Sequence, residues 1–325
     1  MRTERRVAGT LLHCQRVRSM SSNATTTGRV LVPLDGSELA EAILPLLGAG
    51  EHPWGSEVLL VRSLTLESPA GPAAEREAGE YLAAQAHMLE RSGLQVRCEV
   101  WHGEPSQMIV NAADRGRVGL IAMTTHGWRG LDRLRFGSVA ESVVRIAPVP
   151  VLLVRGQLQW PVNRPPRILV PLDGSERSAA IVALVAPLRQ RLQATVELLQ
   201  VLEGGPPAFH PDVPITLADM GPARAAAREY LKRVAARLTA DGPPVDWTVL
   251  EGPAATVIAR RTVDSGADLV AMTTHGRSGV ARLLVGSVAE QVLRTADVPV
   301  LLWKAAIPPT AARRGRRAEE ARHDH

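Results

Sequence analysis

The octapeptide LVPLDGSE occurs at Leu31–Glu38 and again at Leu169–Glu176, and in each copy an aspartate, Asp35 or Asp173, directly follows a short apolar run. Further along, AMTTHG is written at Ala122–Gly127 and at Ala271–Gly276. In both places nine residues separate its glycine, Gly127 or Gly276, from a Gly-Ser pair, Gly137-Ser138 or Gly286-Ser287. Glycines let backbone N–H groups approach an anion because no Cβ intrudes, and the N-terminus of the helix opened by the serine favours negative charge. The pattern outlines phosphate chemistry, with a carboxylate beside it.

Plainer roles are open to the same residues. Ser138-x-x-Glu141 and Ser287-x-x-Glu290 read as capping boxes, and Asp35 with Glu38, or Asp173 with Glu176, reads as a helix cap. His126 and His275 lack a carboxylate, Cys or second His at metal or catalytic spacing, which leaves them structural or rim positions. Arg129, Arg133, Arg135, Arg277 and Arg282 either face phosphates or line a solvated basic loop.

Elements that would position these residues follow from the repeat itself. GSVAE at Gly137–Glu141 and Gly286–Glu290, and VPVLL at Val149–Leu153 and Val298–Leu302, complete four blocks recurring in one order, so the chain carries two copies of one unit. Short apolar runs alternate with helical periodicity, as in βαβ units. The reading is α/β: two tandem, open, five-stranded parallel sheets with helices on both faces, Rossmann-like. In the first copy strands are predicted over 29–34, 57–64, 94–101, 118–123 and 149–154. Helices are predicted over 38–47, 73–91, from Pro105, and from Ser138. Tyr81, Leu82, Ala86 and Leu89 share a stripe, and Met88 is assigned to the core with Leu82 and Leu89. In such sheets ligands bind beyond the carboxyl ends of the strands, where strand order reverses, and both motifs map to that edge.

The domain assignment is a disordered leader (1–27), a first domain (28–156), a linker (157–166), a second domain (167–304) and a disordered basic tail (305–325). The leader has the Arg- and Ser/Thr-rich, acid-poor composition of a transit peptide, but disorder or a start at Met20 is the favoured reading. The second copy has a Pro/Gly-rich insertion over 203–222, predicted to be a mobile loop above the sheet. The short, proline-bearing linker predicts that the domains pack together.

Composition narrows the partners. The formal charge of +5 comes from the ends: residues 1–29 hold six Arg and one Glu (net +5), and 305–325 hold five Arg and three acids (net +2), which leaves −2 for the middle. With aromatics at 3%, little is available for base stacking, so no nucleic-acid partner is expected. No apolar run approaches a membrane span, and no membrane association is expected. Cys14 and Cys98 make no disulfide framework and no Cys/His set has zinc spacing, so a reducing, cytoplasmic setting without a metal site is expected.

These residues resemble the universal stress protein family, whose pattern is G-x2-G-x9-G-[S/T] after strand four plus an Asp after strand one. The likeness covers nearly all of 29–155 and 167–304. It implies sheet order 3-2-1-4-5, an adenine-nucleotide alpha-hydrolase-like fold and, in many members, bound ATP, here expected with Mg²⁺. By position, Asp35 and Asp173 would meet the ribose or adenine, and Pro33 and Pro171 would line the adenine pocket. Ser63 and Val201 would offer backbone groups to the adenine edge. Gly127, Gly137, Ser138, Gly276, Gly286 and Ser287 would cradle phosphates, with Met123, Thr124, Val139, Met272, Thr273 and Val288 completing the two sites. One departure is made twice: the first motif glycine is Thr124 in one copy and Thr273 in the other. A β-branched side chain there would crowd the ribose and disfavour positive φ, or its hydroxyl would instead donate to ribose or phosphate.

Family members often pair through their fifth strands, and an apolar edge wants covering. The tandem chain is expected to satisfy both edges internally as a pseudo-dimer, with a further homo-oligomer left open. The leading function is an ATP-binding module or switch in the stress response, with unknown protein partners. Two alternatives are kept: a slow ATPase or nucleotidyl-transfer enzyme, for which no positioned base and no Walker Lys is evident, and a nucleotide-free scaffold or chaperone.

Overall fold

In a computed structural model of the chain, the described residues are 28–48, 52–65, 71–125, 137–156, 160–161, 163–203, 221–239, 244–274 and 286–304. The leader, the tail, the motif-loop residues 126–136 and 275–285, and most of the 203–222 insertion lie outside them.

The first half runs β1 (Arg29–Pro33), α1 (Glu38–Glu41), α2 (Leu44–Leu47), β2 (Glu57–Leu64), α3 (Pro72–Glu90), β3 (Gln95–His102), α4 (Pro105–Arg115), β4 (Leu120–Thr124), α5 (Ser138–Ile146) and β5 (Val151–Val154). The second repeats it as β6 (Arg167–Leu172), α6 (Glu176–Ala179), α7 (Val182–Leu192), β7 (Thr195–Leu202), α8 (Gly221–Thr239), β8 (Asp246–Glu251), α9 (Ala254–Asp264), β9 (Leu269–Thr273), α10 (Ser287–Thr295) and β10 (Val300–Trp303). Strand pairing follows the order β3-β2-β1-β4-β5-β10-β9-β6-β7-β8. Each half therefore has the order 3-2-1-4-5 with parallel neighbours, and the two sheets merge into one of ten strands through an antiparallel β5–β10 pair.

Side-chain alternation on the strands divides the core in two. Val30 and Val32 of β1 face α1, α2 and α3, while Leu31 faces α4 and α5. Leu152, Val154 and Leu301 continue one layer across the joint, and Val151, Leu153, Val300 and Leu302 continue the other. The outer strand β3 carries Arg97 and Glu99 on an exposed ribbon, and such charges blunt an edge against further pairing. Described residues of the linker are tied to both halves. Trp160 meets Trp54 edge-on with centroids 5.7 Å apart, and Arg164 binds Asp268 through two hydrogen bonds of 2.7 Å.

Three local expectations are corrected. The helix expected over 38–47 is two short pieces, broken before Pro45, which supplies no N–H and sits in the first turn of α2. Met88 is 49% exposed, whereas Leu82 and Leu89 are buried. Ser138 and Ser287 are the first helical residues of α5 and α10 rather than caps: the N-caps are Gly137 and Gly286, neither with a side-chain cap hydrogen bond.

Candidate functional site

β1 lies between β2 and β4, in register with Pro33 opposite Val61 and Leu31 opposite Ile121. The chain leaves β1 toward β2 on one side and reaches β4 from the other, so the order reverses at the carboxyl end of β1. The second half reproduces the arrangement around β6. Pro33 closes β1, and Pro171 is the penultimate residue of β6.

Immediately beyond, Asp35 builds a tight turn. Its Oδ1 accepts from the Ser37 N–H at 3.0 Å and from the Ser37 hydroxyl at 2.6 Å, and Ser37 Oγ accepts from the Ala40 N–H at 3.1 Å to cap α1. Asp173 Oδ1 accepts from the N–H and hydroxyl of Ser175 at 2.9 and 2.6 Å, and Ser175 Oγ accepts from the Ser178 N–H at 3.1 Å. Ser37 and Ser175, not the aspartates, are therefore the helix caps. The middle residues of the turns, Gly36 and Gly174, have φ of +90° and +88°, a region in which a Cβ is strained. One carboxylate oxygen thus fixes the turn, and the turn holds the carboxylate at the sheet edge.

Ser63 lies one residue from the end of β2, its hydroxyl donating to the Gly103 carbonyl at 2.9 Å; Val201 holds the matching place in β7. On the other side of β1, Met123 and Thr124 end β4, and Met272 and Thr273 end β9, all four buried. Both threonines are strand residues, so the positive φ expected to strain them is not required, and a β-branched side chain suits the extended backbone.

The mouth of each motif loop is fixed by two backbone bonds. Thr125 N–H donates to Val154 O at 2.9 Å and Gly137 N–H to Thr125 O at 2.8 Å; Thr274 and Gly286 repeat this with Trp303 and Thr274 at 3.0 and 2.8 Å. Gly127, Gly276, His126, His275 and the five loop arginines lie outside the described residues. Beyond the mouth, Ser138 and Ser287 are exposed, while Val139 and Val288 are half-buried against the core.

A helix leaves its first N–H groups without intrahelical partners, and a Ser or Asp N-cap ordinarily takes one of them. At α1 and α6 a serine does so. At α5 and α10 a glycine stands in that position, leaving the first turn open to an anion at the positive end of the helix dipole. Asp35, Ser63, Thr124, Gly137 and Ser138 thus cluster on one edge, as do Asp173, Val201, Thr273, Gly286 and Ser287.

Two tyrosines stand behind the Asp turns. Burial, and then the hydrogen bond from Tyr81 OH to Glu41 Oε1 at 2.8 Å, push the Tyr81 phenol well above the ordinary tyrosine range. Burial also raises Tyr230, whose hydroxyl donates to the Ser175 carbonyl at 2.9 Å. Among the described residues no group of His, Cys, Asp and Glu is arranged to hold a metal ion, and no helix is long and apolar enough to cross a membrane.

The comparisons with known proteins agree with this architecture. A Universal stress protein from Mycolicibacterium smegmatis is 23% identical over 87% of this chain and 99% of its own length. Universal stress protein Slr1230 of Synechocystis sp. is 26% identical over 77% of this chain and 79% of its own. The crystal structure of a universal stress protein from Archaeoglobus fulgidus superposes with a TM-score of 0.70 at 21% identity, covering 87% of this chain and all of that one. The family model for the Universal stress protein family matches twice, at residues 26–155 and 166–304, and the chain belongs to that family as a tandem member.

Proposed function

We propose that the chain binds an adenine nucleotide, ATP entering with Mg²⁺, at the carboxyl edge of each half, and acts as a cytoplasmic, nucleotide-dependent binding module in the stress response. The observation that carries the reading is the pairing, made twice with the same hydrogen bonds, of an aspartate turn after strand one with a glycine-capped helix after strand four.

The donor set fits the ligand. The open first turns of α5 and α10, with the hydroxyls of Ser138 and Ser287, suit phosphate oxygens. Asp35 and Asp173, acceptors held by their turns, suit ribose hydroxyls or the adenine amino group. Ser63 and Val201, two residues beyond the strand partners of Pro33 and Pro171, would offer backbone groups to the adenine edge. Occupancy would change the surface around each mouth and so alter what a partner meets.

Titration of the chain with Mg-ATP tests this. Two equivalents are expected to bind, with Asp35→Ala removing one and Asp173→Ala the other. A chain that takes up no nucleotide would be a scaffold, and multiple turnover abolished by the same substitutions would make it an enzyme.

A further inference from the structure

The two halves differ where strand two passes behind the aspartate turn. Arg62 of β2 corresponds to Gln200 of β7 at the repeat offset of 138. The Arg62 guanidinium carbon lies 4.9 Å from the centroid of the Tyr81 ring, and a Cβ placed on Gly36 would lie 3.2 Å from Arg62 Nη2. The half-buried cation is therefore held between an aromatic face and the backbone of the Asp35 turn. Glu41 of α1 is occupied by Tyr81 at 2.8 Å and Gln85 at 3.2 Å. A guanidinium carries five N–H donors in one plane, and among the described residues Arg62 places none of them in a hydrogen bond or ion pair.

The second half has no counterpart. Gln200 is neutral and 4% exposed, with Oε1 unpartnered, and Ala179 stands where the first half has Glu41. Arg237 is committed to Glu176, the first residue of α6, at 3.3 Å.

A planar cation pre-oriented on a ring, with unspent donors beside a ligand-facing turn, is suited to bidentate capture of phosphate. Its place is the ribose end of the site, away from the helix N-terminus that takes the 5′-phosphates. Resting on the nucleotide reading above, we propose that Arg62 is a specificity residue of the first site. It binds a phosphate carried on the ribose of an adenine nucleotide while Asp35 takes the remaining hydroxyl. The second site, with Gln200, serves nucleotides with both ribose hydroxyls free. Asp35 and Glu38 would otherwise repel a second phosphate, and Arg62 offsets them.

The test compares adenosine 3′,5′-bisphosphate and adenosine 2′,5′-bisphosphate with AMP by calorimetry on the full chain, in an Asp173→Ala background that isolates the first site and an Asp35→Ala background that isolates the second. The first site is expected to bind at least one bisphosphate about ten-fold or more tighter than AMP, worth ~1.4 kcal/mol, and the second to show no such preference. Arg62→Gln should lower bisphosphate affinity by about ten-fold and AMP affinity by much less, and Arg62→Lys should keep part of the preference. A first site without preference, or a preference that survives Arg62→Gln, overturns the proposal. So does equal loss of AMP and bisphosphate in both Arg62 variants, which would make the residue structural. Binding of AMP without selectivity fails only this inference; no binding of any adenine nucleotide at either site fails the nucleotide reading with it.

Discussion

Leu152 of β5 and Leu301 of β10 are direct Cα partners at the centre of the antiparallel joint, and the repeat offset, which the insertion in the second copy lengthens from 138 to 149, makes each the equivalent of the other. A pseudo-twofold axis passes between them, as in a symmetric dimer whose two subunits are one chain. The flanking contacts obey the same symmetry: Lys304 Nζ donates to the Arg145 carbonyl at 3.2 Å, and its equivalent Arg155 donates to the Arg294 carbonyl. Each cation sits at the C-terminal end of the opposite half's last helix, where the dipole favours it.

Burial decides which of these contacts matters for stability. Leu152 is fully buried, so Leu152→Ala should cost about 3 kcal/mol through lost transfer energy and cavity. The Lys304 and Arg155 bonds are exposed, and alanine at either should cost less than about 1 kcal/mol. Urea unfolding monitored by far-UV circular dichroism separates the two; equal effects would contradict this account of the joint.

The aspartate turns predict a split between stability and binding. Ser37→Ala or Ser175→Ala removes an N-cap and should cost about 1 kcal/mol of stability with nucleotide still bound. Asp35→Ala or Asp173→Ala should abolish binding in its own half. Thermal shift with and without Mg-ATP reads both, and an aspartate variant that binds normally would reduce the carboxylate to a turn device.

Gly36→Ala should destabilise by about 1–2 kcal/mol, because φ of +90° is strained for any side chain and the new methyl meets Arg62. Gly71→Ala at φ of +112°, where a Cβ meets nothing within 4 Å, isolates the backbone part of that cost. If the two substitutions have the same effect, Arg62 does not press on the turn.

Tyr81 and Tyr230 are the only tyrosines, and both have raised pKa values. The folded state therefore holds these protons more tightly than the unfolded chain: their contribution is fully present below the unfolded value near 10 and is lost as pH rises toward the folded values. Alkaline titration at 295 nm should show tyrosinate appearing together with loss of circular dichroism. Ionisation near pH 10 in a chain that stays folded would show both phenols in ordinary solvent.

The strands were legible because the apolar runs marked them and the repeat fixed their alignment; their order and the joint followed from the resemblance to the family, helped by two like apolar edges in one chain that can cover each other. The motif positions were legible in the same way. Adjacent Gly137 and Ser138 both suit a helix start, and only the extended ψ of 139° at Gly137 shows that the glycine caps. Pro45 carried the signal for the break before α2 but was outweighed by the apolar pattern around it. Arg62 was missed because it reads as one polar residue in an apolar strand; the register of Pro33 opposite Val61 is what brings it behind the Asp35 turn.

The central claim is two nucleotide sites per chain. The most direct measurement is to heat-denature freshly purified protein, identify released nucleotide by mass spectrometry, and titrate the stripped, refolded chain with Mg-ATP to obtain the stoichiometry. The account predicts two equivalents per chain on titration, with an adenine nucleotide as the released species. No release and no binding on titration would contradict it, and would leave the glycine-capped helices and aspartate turns as structure alone.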